Sequence, residues 1–280
     1  NLILQFPDTG ENQDSEKGAT INGKVEINHE ASFAEASWDT IAKNVKAGKS
    51  NLYNVGDEKE VEIGGTSYTV RLANNTTPDE CNGTDFSETA CGFVVEFVDI
   101  VEQRAMNSTN TNIGGWEASE MRTYANGDFF NKLPSDLQNV IIDTKVISGH
   151  GSTAGEINFT SNDKIYLLSA HEVYEDGTSN QVSVRDTASN NTRQLDYYKS
   201  KGVTTNNYSG TMKQYNSSNS IWWLRVPDSY GDNDFIIVTN NGDWNHENAN
   251  KTDGLAPAFR IGWKYKKIQA YDGIYSINCI

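Results

Sequence analysis

The sequence predicts an α+β fold. Helical spacing of apolar residues occurs early and in short pieces. Apolar runs of strand length recur through the rest of the chain, bounded by Gly, Asn and Asp turns. Long polar tracts without a period separate them. The 280 residues are enough for a substantial core, and neither an internal repeat nor a low-complexity linker divides them. One main domain over 36–280 is expected, preceded by an N-terminal extension or pair of edge strands over 1–35.

In chain order, Leu2 to Phe6 and the weak alternation of Ile21, Val25 and Ile27 are the candidate edge strands. Ser37 is a good N-cap. Trp38, Ile41, Ala42 and Val45 follow at helical spacing, and Gly48 suits the stop, so a helix is expected from Trp38 to Ala47. Val61 to Ile63 and Tyr68 to Leu72 alternate around Gly64-Gly65 and read as a hairpin. Phe93 to Val101 reads as a strand. A second helix is expected from Trp116 to Tyr124, ending near Asn126-Gly127, and a third, short one from Pro134 to Ile141. Strands are expected at Thr144 to Ile147 and Lys164 to Leu168, with a Gly/Ser/Thr loop between them. Ala170 to Tyr174 reads as a helical turn, and Asp176 to Lys213 as a long polar excursion. Ile221 to Leu224, Phe235 to Val238 and Leu255 to Ile261 supply further strands, and Gly262 to Ile280 two more around Asp272-Gly273.

Composition excludes several classes. The formal net charge is −15, which disfavours nucleic acid, whose binding relies on Lys and Arg neutralising phosphates. No run reaches the roughly 18 apolar residues that span a bilayer, so membrane insertion is not expected, and no signal-peptide pattern opens the chain. Six Trp and 13 Tyr argue for a packed chain. Of three cysteines, Cys81 and Cys91 are spaced to form a disulfide or to remain buried thiols, and Cys279 stands apart. The four histidines show no metal-ligand spacing, and no nucleophile elbow, P-loop or dinucleotide fingerprint is present. An enzyme is therefore not expected.

The stretch Ser220 to Ile261 alternates apolar framework with Asn/Asp-rich segments, as a rigid scaffold presenting a binding surface would. Its candidate ligand-binding residues are Tyr230, Asp232, Asn233, Asp234, Asn240, Asn241, Asp243, Trp244, Asn245, His246 and Asn248. They combine flat aromatic faces with amide and carboxylate groups, a mixture suited to glycans and polypeptides. Arg225 is expected in a buried structural ion pair with Asp or Glu, and Trp222-Trp223 in the core or a pocket wall. No cofactor is expected. Asp228, Asp232, Asn233 and Asp234 are expected to form a solvated turn; the ion that their oxygens would suit is Ca²⁺.

Several segments occur in a characteristic order: Gly114-Gly115-Trp116 to Arg122, Leu133-Pro134, Thr160 to Ser169, Trp222-Trp223-Leu224-Arg225 and Gly254 to Phe259. With Ser37-Trp38-Asp39 and Tyr53 to Asp57 they cover roughly 36–262, and their order resembles an uncharacterised surface domain of gut bacteria. The resemblance implies a C-type-lectin-like fold of the formylglycine-generating-enzyme kind, with a few short helices, small antiparallel sheets and long loops. Domains similar to this include variable proteins of diversity-generating retroelements. In those, an Asn-rich tract between a Trp-containing strand and a final apolar strand is diversified for binding; the matching tract is Tyr230 to Asp253. The chain departs from the pattern by continuing past Ile261. The cysteine pair of the formylglycine-generating relatives has no counterpart at the matching position. The expected function is an exported, cell-surface bacterial protein binding a glycan or protein ligand. The alternatives are a structural subunit of a pilus or surface fibre, assembling with other surface subunits, and a Ca-dependent carbohydrate-active protein.

Overall fold

The computed structural model describes residues 30–153, 155–177 and 180–262. The chain divides into two compact units, Asn1–Glu30 and Ala31–Ile280, and the described residues after Glu30 belong to the second. The strands expected before His29 and after Gly262, and Cys279, lie outside the described residues.

The unit is mixed α+β. Its first helix, Trp38–Lys46, is capped as the sequence predicts: the Ser37 hydroxyl accepts from Thr40 N at 3.1 Å, and Trp38, Ile41 and Ala42 are buried. The strands are β1 (Glu58–Ile63), β2 (Thr66–Asn74), β3 (Val94–Phe97), β4 (Glu102–Arg104), β5 (Thr144–Ser148), β6 (Phe159–Asp163), β7 (Lys213–Tyr215), β8 (Ser218–Ser220), β9 (Trp222–Pro227), β10 (Asp234–Val238), β11 (Trp244–Asn248), β12 (Asp253–Leu255) and β13 (Ala258–Arg260). They form a four-stranded sheet ordered β1-β2-β3-β13, a five-stranded sheet ordered β11-β10-β9-β12-β4, and the hairpins β5-β6 and β7-β8.

Two pairings clamp the base of the unit. β13 runs antiparallel to β3, and β12 runs antiparallel to β4. Residues 94–104 are thereby joined twice to residues 253–260, and everything between is carried on that clamp. β12 also touches β9 in parallel, at Gly254↔Trp222. A Cβ on Gly254 would lie 2.6 Å from Ile100 Cδ1 and 2.8 Å from the Ile221 carbonyl, so only glycine allows this approach. Edge-to-face rings fill the core beneath: Phe33–Trp38 at 6.0 Å, Trp38–Phe259 at 6.5 Å, Phe259–Phe97 at 6.2 Å and Phe97–Phe129 at 5.9 Å.

Two charged centres are built into this interior. Glu96 accepts from Arg71 Nε at 2.9 Å, Lys213 Nζ at 3.0 Å and Tyr198 OH at 2.8 Å. Burial opposes its ionisation, but Arg71 and Lys213 outweigh that and hold its carboxyl below the usual range. Burial lowers Lys213 to about 8. The second centre pairs Arg225 with Glu172, as the expectation of a buried ion pair required.

Several sequence expectations change. The strand after the Gly/Ser/Thr loop is the polar Phe159–Asp163, paired with β5, and not Lys164 to Leu168. The apolar run is instead buried irregular chain touching β13 through Tyr166↔Ala258. The second helix is broken at Ser119, giving Gly115–Ala118 and Glu120–Tyr124. It then runs through Asn126-Gly127 as a π-helical turn, Ala125–Phe129. Asn126 explains the continuation: its Oδ1 accepts from Lys164 N and Ile165 N, and its Nδ2 donates to the Ile165 carbonyl. The strand from Phe93 is shorter than expected, ending at Phe97. The excursion Asp176 to Lys213 is packed, with Val182, Leu195, Tyr198 and Val203 buried and a helix at Asp196–Ser200.

Candidate functional site

The display stretch folds as β9, a loop over 228–233, and the hairpin β10–β11. β9 is buried along its length, with Trp222 and Trp223 wholly inside, so it serves as framework. The loop above it is held by one side chain that sequence reasoning did not select. Asn112, itself buried, donates through Nδ2 to the carbonyls of Asp228 (3.2 Å), Gly231 (2.8 Å) and Asp234 (2.8 Å). Asn112 N also donates to the Asp232 carbonyl at 2.8 Å. Asp228 closes the loop from within, accepting Tyr230 N at 2.9 Å.

Arg185 organises the face. Its Nη1 donates to Asp228 Oδ2 at 2.6 Å. Its guanidinium lies 4.6 Å from the centre of the Tyr230 ring and 5.8 Å from that of Trp244. Arg185 is carried on a 3₁₀ turn, Val182–Arg185, whose neighbour strengthens the contact: Ser229 N donates to the Arg185 carbonyl at 3.1 Å and Ser229 Oγ to the Val184 carbonyl at 3.3 Å. Across the hairpin, His246 Nδ1 meets Asp234 Oδ2 at 2.9 Å and Asp228 Oδ2 at 3.8 Å. Asn248 Oδ1 accepts from both Asn233 and Asn110 amides, at 2.9 and 3.0 Å.

Around this polar network stand exposed apolar side chains. Tyr230 is 69% exposed, Ile113 beside Asn112 64%, and Val184 beside Arg185 54%. Their grouping around one fixed loop marks the face more sharply than any of them alone.

The predicted residues divide into two groups. Tyr230, Asp232, Asn233, Asp234, His246 and Asn248 lie at the loop end of the hairpin, with Trp244 reaching the same cluster through Arg185. Asn240, Asn241 and Asp243 lie at the opposite end, beyond the four steps from Asp234 to Val238, roughly 14 Å away. That end is docked into the interior: Gly242 is buried, and its carbonyl accepts from Tyr174 OH at 2.6 Å and Thr211 Oγ1 at 2.7 Å. Asn245 sits on the outer strand, its side chain turned to His246 N. Arg185, Asn112, Ile113 and Val184 were missed. Only the apolar character of Ile113 and Val184 in polar tracts carried any signal.

Asp228, Asp234 and His246 bring ligand atoms within 4.8 Å of one another. This differs from the oxygen set considered for Ca²⁺, because an imidazole replaces Asp232 and Asn233. The Arg185 guanidinium already neutralises Asp228 there, so an ion would have to displace it. On β12, burial and then the nearby Glu247 push Asp253 up to about 6.

The sequence pattern of a domain of unknown function, DUF6273, matches residues 94–263. The chain belongs to that family. The matched segment of this DUF6273 chain begins at β3 and takes in β13, the strands that clamp the base, and it contains Arg185, the loop and the hairpin. No curated protein and no solved structure matches the chain.

Proposed function

We propose that this DUF6273 chain is a ligand-binding domain of C-type-lectin-like fold on an exported bacterial surface protein. It takes a glycan or protein ligand on the face formed by Arg185, the 228–234 loop and β11. The observation that carries the reading is an exposed aromatic held in place. Tyr230 presents most of its ring to solvent, while Asn112 fixes its loop and Arg185 packs against the ring. An aromatic already immobilised loses little conformational entropy on binding, as in antibody paratopes.

Two further features support the reading. The tract Tyr230 to Asp253 lies between the Trp-bearing β9 and the apolar β13, the arrangement that the resemblance to retroelement variable proteins implies. Cys81 and Cys91 form a disulfide, which favours an oxidising, extracytoplasmic setting.

The test is an array of glycans and of surface proteins probed with the wild-type chain and with Tyr230→Ala/His246→Ala. Both side chains are exposed, so the melting temperature should stay within a few degrees. Any ligand captured by the wild type should be lost by the variant. A ligand retained at full strength places the binding site elsewhere.

A further inference from the structure

The outer edge of β11 has a regular construction. Ala249 N donates to the Asn233 carbonyl at 2.8 Å, and Thr239 N to the Asp243 carbonyl at 2.7 Å. Between these two bonded pairs the register runs from Asp234↔Asn248 to Val238↔Trp244. Bonded and non-bonded pairs alternate along an antiparallel ladder, so Asn245 and Glu247 bond inward to β10. Trp244, His246 and Asn248 turn their N–H and C=O groups outward, and the Asn248 carbonyl is taken by Lys251 N at 2.9 Å. Each of these outward N–H groups is taken by the side chain of the residue before it. Asp243 Oδ1 accepts from Trp244 N at 2.8 Å, Asn245 Oδ1 from His246 N at 2.9 Å, and Glu247 Oε1 from Asn248 N at 2.9 Å.

Among the described residues the edge therefore offers two backbone acceptors, the carbonyls of Trp244 and His246, with its three outward backbone donors occupied. A neutral strand adding to a sheet needs donors and acceptors in turn, and such an addition is blocked here. A ligand that brings donors is not. These two oxygens lie two residues apart, roughly 6.8 Å, which is the spacing of side chains on one face of an extended peptide. Charge points the same way. With Asp228 paired to Arg185, residues 229–253 still carry five carboxylates, Asp232, Asp234, Asp243, Glu247 and Asp253, against one cation, Lys251.

We propose that the outer edge of β11 recognises an extended, basic segment of a partner polypeptide, with Lys or Arg at alternate positions. The inference rests on the reading of this face as a binding face, and it assigns the ligand class. The capping carboxylates of Asp243 and Glu247 supply the charge, and the outward carbonyls of Trp244 and His246 receive the donors.

Calorimetric titration tests it at low ionic strength, about 0.05 M. The probes are a capped hexapeptide of alternating lysine and threonine, its isomer with three lysines followed by three threonines, and hexaglutamate. The protein variants are Asp243→Asn/Glu247→Gln, which keep an oxygen to cap the edge, and the distant control Glu58→Gln/Glu62→Gln on β1. The alternating peptide should bind the wild type and the control alike, about fivefold or more tighter than it binds the β11 variant. It should also bind tighter than its isomer, and hexaglutamate should not bind. Equal binding of both lysine peptides, weakened equally by either pair of substitutions, would reduce the effect to diffuse attraction and overturn the proposal. So would no binding of the alternating peptide. A ligand that is captured by the array and lost with Tyr230→Ala/His246→Ala, but indifferent to Asp243→Asn/Glu247→Gln, would overturn the basic-segment assignment alone and leave the binding face standing.

Discussion

Arg225 and Glu172 meet fork to fork in the interior, with both side chains almost wholly out of solvent. Nη1 donates to Oε2 at 2.6 Å and Nη2 to Oε1. The carboxylate also accepts from the Thr89 and Thr192 hydroxyls and from Ser169 N, and Arg225 Nη1 from its side donates to the Leu167 carbonyl at 2.8 Å. Burial opposes the charge on Glu172, but Arg225 and these donors prevail and hold its carboxyl below the usual range. A carboxylate with a lowered folded pKa contributes stability above its unfolded pKa and loses it as pH falls through the folded value. Glu172→Gln should leave the guanidinium buried without its counter-charge and cost about 3–5 kcal/mol by urea unfolding at pH 7. A loss below about 1 kcal/mol would mean that the pair is not the internal tie described.

Asp186 has the opposite sign. It is buried, Oδ1 accepts from Ala188 N at 2.9 Å, and Oδ2 has no partner among the described residues. Burial raises it to about 6. Between its usual value near 4 and about 6 the folded chain holds a proton that the unfolded chain has released, so its contribution is present at low pH and lost as pH rises through that window. Asp186→Asn keeps the accepting oxygen and removes the charge. It should flatten the stability profile between about pH 4 and 6, while the relief at pH 7 is offset by a buried Nδ2 without an acceptor, about 1–3 kcal/mol. Unfolding curves across that range decide the matter; an unchanged slope counts against it.

The helix at Trp38–Lys46 was legible because its signals are local: a capping serine, apolar residues three and four apart, and a following glycine. Arg225 was legible as a buried charge, since it sits in an apolar strand, but its partner lies 53 residues earlier and nothing local names it. The polar strand Phe159–Asp163 was not legible, because pairing with β5 and the burial of Asp163 between Trp116 and Arg122 decide it. At the candidate site, the aromatic and amide residues of the tract stood out. Arg185 did not, because a surface arginine in a polar segment looks the same whether it is solvated or stacked. Nor was the division of the tract between two ends of a hairpin visible, since composition is the same at both.

The turn end of that hairpin makes a separate prediction. Gly242 has φ +92°, and a Cβ there would lie 2.4 Å from the Tyr208 carbonyl and 2.8 Å from Thr211 Oγ1. Gly242→Ala meets both a backbone conformation unfavourable to L-residues and a backbone atom that cannot move aside. It should cost about 1–3 kcal/mol or more in a thermal or urea melt. Asn241→Ala, at the exposed preceding position of the same turn, removes a solvent-exposed hydrogen bond from Thr239 and should cost under about 0.5 kcal/mol. Equal effects would show that this end is not docked as described.

Arg185 joins the loop, the rings and the hairpin, so its removal separates structure from recognition. In Arg185→Ala, Asp228 stays buried but loses its counter-charge, and the Tyr230 ring loses its packing partner. Both effects loosen the loop, though Asn112 still holds three of its carbonyls. A stability loss of about 1–3 kcal/mol is expected, together with faster amide exchange at Tyr230 and Gly231. Arg185→Lys restores a charge for Asp228 but not the planar stack or the fork. It should recover most of the stability and little of the binding measured on the array. Recovery of both in parallel would mean that Arg185 acts on the ligand only by keeping the protein folded. Recovery of stability without binding would assign the guanidinium stack itself to presentation of Tyr230.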